Sequence, residues 1–145
     1  MLSTLTSSFI VSIIFTFLSF VHLYWAISGG VPNDYVIPKV NNKKIFSPTR
    51  SILLGIGIGF QIFAFTILGH IGVFEFPFLV DFFKYGTWGI AILFFGRAVG
   101  DFKHFGIFKK VKNTKFAYWD TNAYIPISLF ITALIIVVIY HQQIP

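Results

Sequence analysis

A histidine, an arginine and two aspartates lie where long apolar stretches of the sequence end: His22, Arg97, Asp101 and Asp120. Imidazole and carboxylate groups can transfer protons near neutral pH, and a guanidinium group binds phosphate or carboxylate. We therefore expect these side chains to form a polar layer that binds an anionic or zwitterionic group. If the protein is an enzyme, His22 or Asp120 would be its acid/base.

Arg97 is placed unusually deep in its apolar stretch. Only twelve residues separate it from Lys84, a helix of about 18 Å, whereas a bilayer core is about 30 Å thick. Lys84 can reach back to the headgroups, but helical side chains tilt towards the N-terminus, which directs Arg97 into the membrane. Arg97 therefore needs a partner. Asp101, four residues later, is the predicted one, in a binding pocket or as a structural ion pair.

Aromatic residues accompany these polar ones in two segments. Tyr24 and Trp25 follow His22, and Trp119 and Tyr124 flank Asp120. We predict that all four contribute to ligand binding, although such residues also form ordinary interfacial belts. For Asp120 itself, capping of the following helix is the predicted role, and ligand binding is the alternative.

Several kinds of site are excluded or disfavoured. The chain has no cysteine, and its four histidines lack metal-ligand spacing, so we predict neither a metal site nor a cofactor. The net charge of +6 does not indicate nucleic-acid binding in so apolar a chain. Four lysines of one basic segment are instead predicted to contact lipid headgroups: Lys109, Lys110, Lys112 and Lys115. The alternative is that these lysines only set the orientation of the helices in the membrane.

The elements that carry these residues are predicted to be membrane-spanning helices. The chain is 56% hydrophobic and 11% charged, with a mean hydropathy of +0.80. A span needs about 20 apolar residues. Four stretches satisfy this, at about 5–28, 51–73, 79–100 and 123–141. The predicted fold class is all-α, a single domain over 1–145 that forms an antiparallel up-down-up-down four-helix bundle in the membrane.

Charge sets the predicted orientation. Ten of the eleven Lys and Arg residues fall in the first and third loops or at the adjoining helix ends. The positive-inside rule then places these loops in the cytoplasm and both termini outside. Within the bundle, Ser51, Gly55 and Gly59 recur every four residues, a spacing that predicts close packing against another helix.

Three motifs carry a family resemblance: H-x-Y-W-A at 22–26, R-x-x-G-D at 97–101 and F-A-x-W-D-T at 116–121. With its length and helix count, the chain resembles a bacterial family of small four-helix membrane proteins classed as a domain of unknown function. The resemblance implies a bacterial inner-membrane location and implies no activity.

Three functions remain open from the sequence. The favoured one is non-enzymatic binding of a lipid, small amphiphile or protein partner through the polar layer at the cytoplasmic face. The second is a membrane enzyme that acts on a lipid or isoprenoid headgroup, with Arg97 holding phosphate. The third is a subunit of a small transporter, in which the four-helix protein would have to dimerise to form a path.

Overall fold

The computed structural model describes residues 3–31, 33–40, 43–74 and 76–142. Four of its helical segments are long and apolar enough to cross a membrane, which confirms the predicted all-α four-helix membrane fold. The elements in chain order are α1 (Thr4–Ser28), α2 (Asn33–Val36), β1 (Lys39–Val40), β2 (Lys43–Lys44), α3 (Arg50–His70), a 3₁₀ turn (Pro77–Leu79), α4 (Val80–Val99), α5 (Lys115–Trp119), a π-helical turn (Asp120–Tyr124) and α6 (Ile125–Gln142).

The long helices form a ring. α1 packs against α3 and α6, and α4 packs against the same two helices. Between α1 and α3 the chain makes a single helical turn, α2, and a short antiparallel pairing of β1 with β2. Large apolar side chains face outward along all four long helices, as expected where lipid replaces water.

An aromatic cluster fills the middle of the ring. Phe15 of α1 is fully buried and contacts Phe60, Phe63 and Phe94, with ring centroids 5.3–6.0 Å apart. Such ring pairs contribute stabilising free energy beyond that of the apolar area that they bury. On the same helix, Ser12 donates a hydrogen bond to the carbonyl of Ala64 at 3.4 Å, which ties α1 to α3.

The small residues that allow close approach on α3 are not the predicted ones. Gly57 packs against Leu23 and the Ser19 carbonyl of α1, whereas added Cβ atoms at Gly55 and Gly59 would meet no described atom within 4 Å. The prediction of a packing line through Ser51, Gly55 and Gly59 was therefore wrong for contacts within this chain. The buried face of α3 is offset by two residues from that line.

The last span begins earlier than the sequence suggested, at Lys115 rather than near residue 123. Thr114 is its N-cap and accepts a hydrogen bond from the Ala117 amide at 3.0 Å. A π-helical turn follows, in which the Ile125 amide bonds to the Asp120 carbonyl. Pro126 has no amide hydrogen and crowds the carbonyl of the preceding turn, which accounts for the wider turn before it.

Candidate functional site

Asp120 is the centre of a buried polar network. Its side chain is fully buried within the π-helical turn. Oδ1 accepts a hydrogen bond from Nη2 of Arg97 at 2.7 Å. Oδ2 accepts from the Gly106 amide at 2.8 Å and from Nζ of Lys109 at 3.1 Å. Both oxygens are thus engaged, and α4, the loop after it and the last span are tied together at one carboxylate.

This placement corrects the predicted capping role of Asp120. The helix begins at Lys115, so the Asp120 side chain lies inside a continuous helical segment rather than at its start. A capping aspartate would accept hydrogen bonds from amides two or three residues later. Asp120 instead accepts from three groups distant in sequence.

Arg97 has its acidic partner within the protein, but the partner is not Asp101. α4 ends at Val99, and Gly100 adopts a φ of 91°, which turns the chain away from the helix axis. Asp101 therefore leaves the helical face on which an i,i+4 pair could form, and the predicted Arg97–Asp101 pair was wrong. The Cζ atom of Arg97 also lies 4.8 Å from the centroid of the Phe105 ring.

One nitrogen of Arg97 has no hydrogen bond to the part of the chain that the structure describes. Nη1 is buried and finds no acceptor among the described residues, whereas Nη2 is bonded to Asp120. An unpaired buried donor of a charged group is energetically costly, so an additional acceptor at this position would be stabilising.

Lys109 was predicted to contact lipid headgroups, and the structure corrects this. Its side chain is buried, and Nζ bonds to Asp120, to the Gly106 carbonyl at 3.3 Å and to the Thr121 hydroxyl at 2.6 Å. Lys110 and Lys112 are exposed, so their contact with headgroups stays a prediction. Lys115 lies 5.5 Å from the centroid of the Tyr35 ring.

Asp101 organises the first turn of the loop. Its Oδ1 accepts hydrogen bonds from the amides of Lys103, His104 and Phe105 at 2.6–3.0 Å, and Oδ2 contacts the His104 ring at 2.8 Å. Desolvation acts to raise the pKa of the Asp101 carboxyl, but the three amide hydrogen bonds and the histidine outweigh it and hold the pKa well below its usual range.

Two glycines allow the loop to fold back onto α4. Gly100 and Gly106 have φ of 91° and 89°, and a Cβ on either would overlap the backbone of the other. Just beyond them, the Ile107 amide donates to the Ala98 carbonyl at 2.9 Å. This close approach brings the Gly106 amide to Asp120.

A groove of about 630 Å³ lies beside this network, between α1, α3, α4 and the last span. Its volume is typical of small-molecule sites. Phe60, Phe63 and Phe94, which belong to the central aromatic cluster, line the groove, and Gly59 lies on the α3 wall. Because Gly59 has no side chain and nothing described packs over it, the groove stays open there.

Four predicted site residues line the groove together: His22, Trp25, Arg97 and Tyr124. Nδ1 of His22 lies 2.8 Å from the Leu18 carbonyl. Since a carbonyl can only accept, Nδ1 carries a proton, and in the neutral ring Nε2 is the nitrogen that can accept a hydrogen bond. Tyr124 donates its hydroxyl hydrogen to the Tyr35 carbonyl at 3.1 Å.

The other predicted residues lie apart from the groove lining. The Tyr24 side chain faces outward and is two-thirds exposed, and Trp119 packs edge-on against Tyr35. Asp101 belongs to the loop turn. The arrangement therefore combines an apolar cavity with a guanidinium at its edge, a description that fits binding of an amphiphile with an acidic headgroup.

Sequence reasoning missed several members of the site. Lys109 could not be distinguished from its lysine neighbours, because a run of like charges carries no sign of which member is buried. The glycines at 100 and 106 were a usable signal, since glycine is the default residue where the backbone needs a positive φ or approaches another segment closely. Ser128, on the groove wall, gave no such signal.

Comparison with known proteins gives the family but no activity. No curated protein and no solved structure matches the chain. Residues 15–135, which include every residue of the Asp120 network and every residue that lines the groove, match a family described as a protein of unknown function, DUF3995. The chain therefore belongs to the DUF3995 family of proteins of unknown function.

Proposed function

We propose that this small multi-pass membrane protein binds an anionic amphiphile in the groove. The acidic headgroup would meet Arg97, and the hydrocarbon tail would lie along Phe60, Phe63 and Phe94. The observation that carries the proposal is that Arg97, with 30% of its side chain exposed, lines a largely apolar groove. A phosphate or carboxylate oxygen can form a charge-assisted hydrogen bond with such a guanidinium.

The charges around Asp120 support the same ligand class. One carboxylate faces two basic side chains, Arg97 and Lys109, so the formal charge of the three groups is +1. An excess positive charge at the edge of an apolar cavity favours an anion over a neutral or cationic headgroup. His22, through Nε2, could accept a hydrogen bond from a hydroxyl or protonated oxygen of the same headgroup.

The geometry does not favour the enzymatic alternative. Asp120 is fully buried, and both of its oxygens already accept hydrogen bonds from Arg97, Lys109 and Gly106. A general acid/base must come within hydrogen-bond reach of a substrate proton, which this carboxylate does not do. The Leu18 carbonyl orients the His22 ring, but no carboxylate among the described residues pairs with it, so we propose binding rather than catalysis.

Binding can be tested with ligands that share one tail and differ in headgroup. Hexadecyl phosphate, palmitate and hexadecanol would be titrated into the protein in nanodiscs, with bound ligand counted by native mass spectrometry. We expect the two anions to bind at least about tenfold more tightly than the alcohol, because a charge-assisted hydrogen bond is worth about 1.5–3 kcal/mol. The ratio of phosphate to carboxylate affinity identifies the preferred headgroup.

A matched pair of glycine variants provides the control. Gly59→Leu fills part of the groove without replacing a charged residue, whereas Gly55→Leu adds the same side chain one turn away, outside the groove lining. We expect Gly59→Leu to abolish anion binding and Gly55→Leu to leave it unchanged. Equal binding by both variants, or no preference for the anions, would contradict the proposal.

The orientation is also part of the proposal. Ten of the eleven basic residues lie on the side of the groove's polar end, which supports placing that end at the cytoplasmic face of a bacterial inner membrane, with both termini outside. Alkaline phosphatase fused to either terminus should be active, because that enzyme folds only outside the cytoplasm. If only the fusions in the first or third loop were active, the orientation would be the opposite of the one proposed.

A further inference from the structure

The third loop, residues 100–114, does not extend away from the bundle. The Ile107 amide bonds to the Ala98 carbonyl in the last turn of α4, and the Phe105 ring contacts the guanidinium of Arg97. The loop therefore lies at the depth of the last helical turn. If α4 spans the membrane, that depth is the boundary between headgroups and hydrocarbon rather than bulk water.

Three large apolar side chains of this loop face away from the protein. Phe102, Ile107 and Phe108 are 58%, 53% and 59% exposed, and the rings of Phe102 and Phe108 stack with centroids 5.8 Å apart. We call these three residues the apolar tip. Phe102 has a φ of +61°, an unfavourable conformation for a phenylalanine that keeps its ring on the outer side of the loop.

Basic residues flank the apolar tip. Lys103, Lys110 and Lys112 are exposed, and the Lys110 and Val111 amides both bond to the Lys103 carbonyl at 3.0–3.1 Å. This contact holds the lysines beside the aromatic rings. Apolar side chains on one side and lysines next to them are the composition of segments that lie in the membrane interface.

We propose that the third loop is an interfacial anchor. The apolar tip inserts into the headgroup–acyl boundary of the adjacent leaflet, and Lys103, Lys110 and Lys112 bind the phosphates of anionic lipids. The occupant is the protein's own bilayer, since the loop is continuous with α4 and lies at its end. The anchor is rigid, because Asp101, Gly106 and Lys109 fix its backbone. It does not depend on ligand binding in the groove.

The absence of cysteine makes the anchor directly testable by spin labelling. Phe102→Cys and Phe108→Cys would each carry a nitroxide, with Asn113→Cys as the matched control, because Asn113 is exposed in the same loop but outside the apolar tip. In liposomes, labels at 102 and 108 should collide with oxygen and be shielded from a water-soluble nickel chelate. The label at 113 should show the reverse.

Two results would overturn the anchor. Labels at 102 and 108 that are as accessible to the nickel chelate as the label at 113 would place the tip in water. Labels shielded from both oxygen and the chelate would mean that protein, such as a second copy of the chain, covers the tip.

The lysine contribution is tested by lipid composition. Shielding of the label at 102 from the nickel chelate should be at least about twofold greater in vesicles with phosphatidylglycerol than in phosphatidylcholine alone. Combined Lys103→Gln, Lys110→Gln and Lys112→Gln substitutions should remove that difference. Equal shielding in both lipids with the wild-type loop would refute the electrostatic part of the proposal.

Discussion

At the scale of single residues, Asp120 is predicted to contribute most to stability. Asp120→Asn leaves Arg97 and the buried Lys109 without a counter-charge, and loss of one member of a buried ion pair costs about 3–5 kcal/mol. Lys109→Met should lower the free energy of unfolding less, by about 1.5–3 kcal/mol, since Asp120 keeps its hydrogen bonds from Arg97 and the Gly106 amide. Unfolding by a denaturing detergent measures both. Equal losses would argue against Asp120 as the centre of the network.

Asp101 gives a prediction for pH. Its pKa is lower in the folded loop than in the unfolded chain, so the charged form is the one that the loop stabilises. That stabilisation is fully present above the unfolded pKa of about 3.9 and is lost as pH falls from there towards the lower folded value. Amide exchange at Lys103, His104 and Phe105, corrected for intrinsic rates, should therefore lose protection over this acidic range.

Asp101→Asn is the control for that pH dependence. The amide side chain can still accept hydrogen bonds, but it does not titrate, so protection at 103–105 should be lower and independent of pH in the same range. If the variant kept the wild-type pH profile, another group would be responsible for it.

At the scale of elements, the fold of the third loop depends on two glycines. Gly106→Ala forces a left-handed φ on alanine, at about 1–2 kcal/mol, and its Cβ would overlap the backbone of Gly100 and Val99. We expect the loop to detach from Asp120. The free energy of unfolding should then fall by more than the cost of the left-handed φ alone, which the same unfolding assay measures.

Gly96→Ala is the matched control, one residue before Arg97. Gly96 is in the regular helical part of α4, and an added Cβ would meet no described atom within 4 Å. Alanine there should be neutral or stabilising by up to about 1 kcal/mol. If Gly96→Ala were as damaging as Gly106→Ala, the glycine effect would come from α4 rather than from the loop contact.

The elements also mark where sequence reasoning succeeds and fails. The four spans were predictable because apolar length alone identifies a helix that can cross a bilayer. The partner of Arg97 was not predictable from the sequence. The choice between Asp101 and Asp120 depends on where α4 ends and on a loop that folds back onto that helix. Gly100 decides this, and a single glycine can end a helix or continue it.

At the scale of the whole molecule, the polar layer was predicted from three segments that end at one membrane face, and the groove unites residues from all three. Its exact membership depends on helix rotation, which sequence periodicity fixes poorly when helices are apolar on every side. The offset of the packing face of α3 illustrates this: Gly57 contacts α1, and Gly59 is left to line the cavity.

The most direct test of ligand binding uses Trp25, which lines the groove. In a variant with Trp88 and Trp119 replaced by Phe, Trp25 is the one tryptophan left. Dibromostearic acid should reach half-maximal quenching of its fluorescence at a concentration at least about tenfold lower than dibromostearyl alcohol does. Arg97→Gln should remove the difference between the two ligands, and Gly59→Leu should remove saturable quenching. Equal quenching by acid and alcohol, or saturable quenching that persists in Gly59→Leu, would contradict the binding of an anionic amphiphile at Arg97.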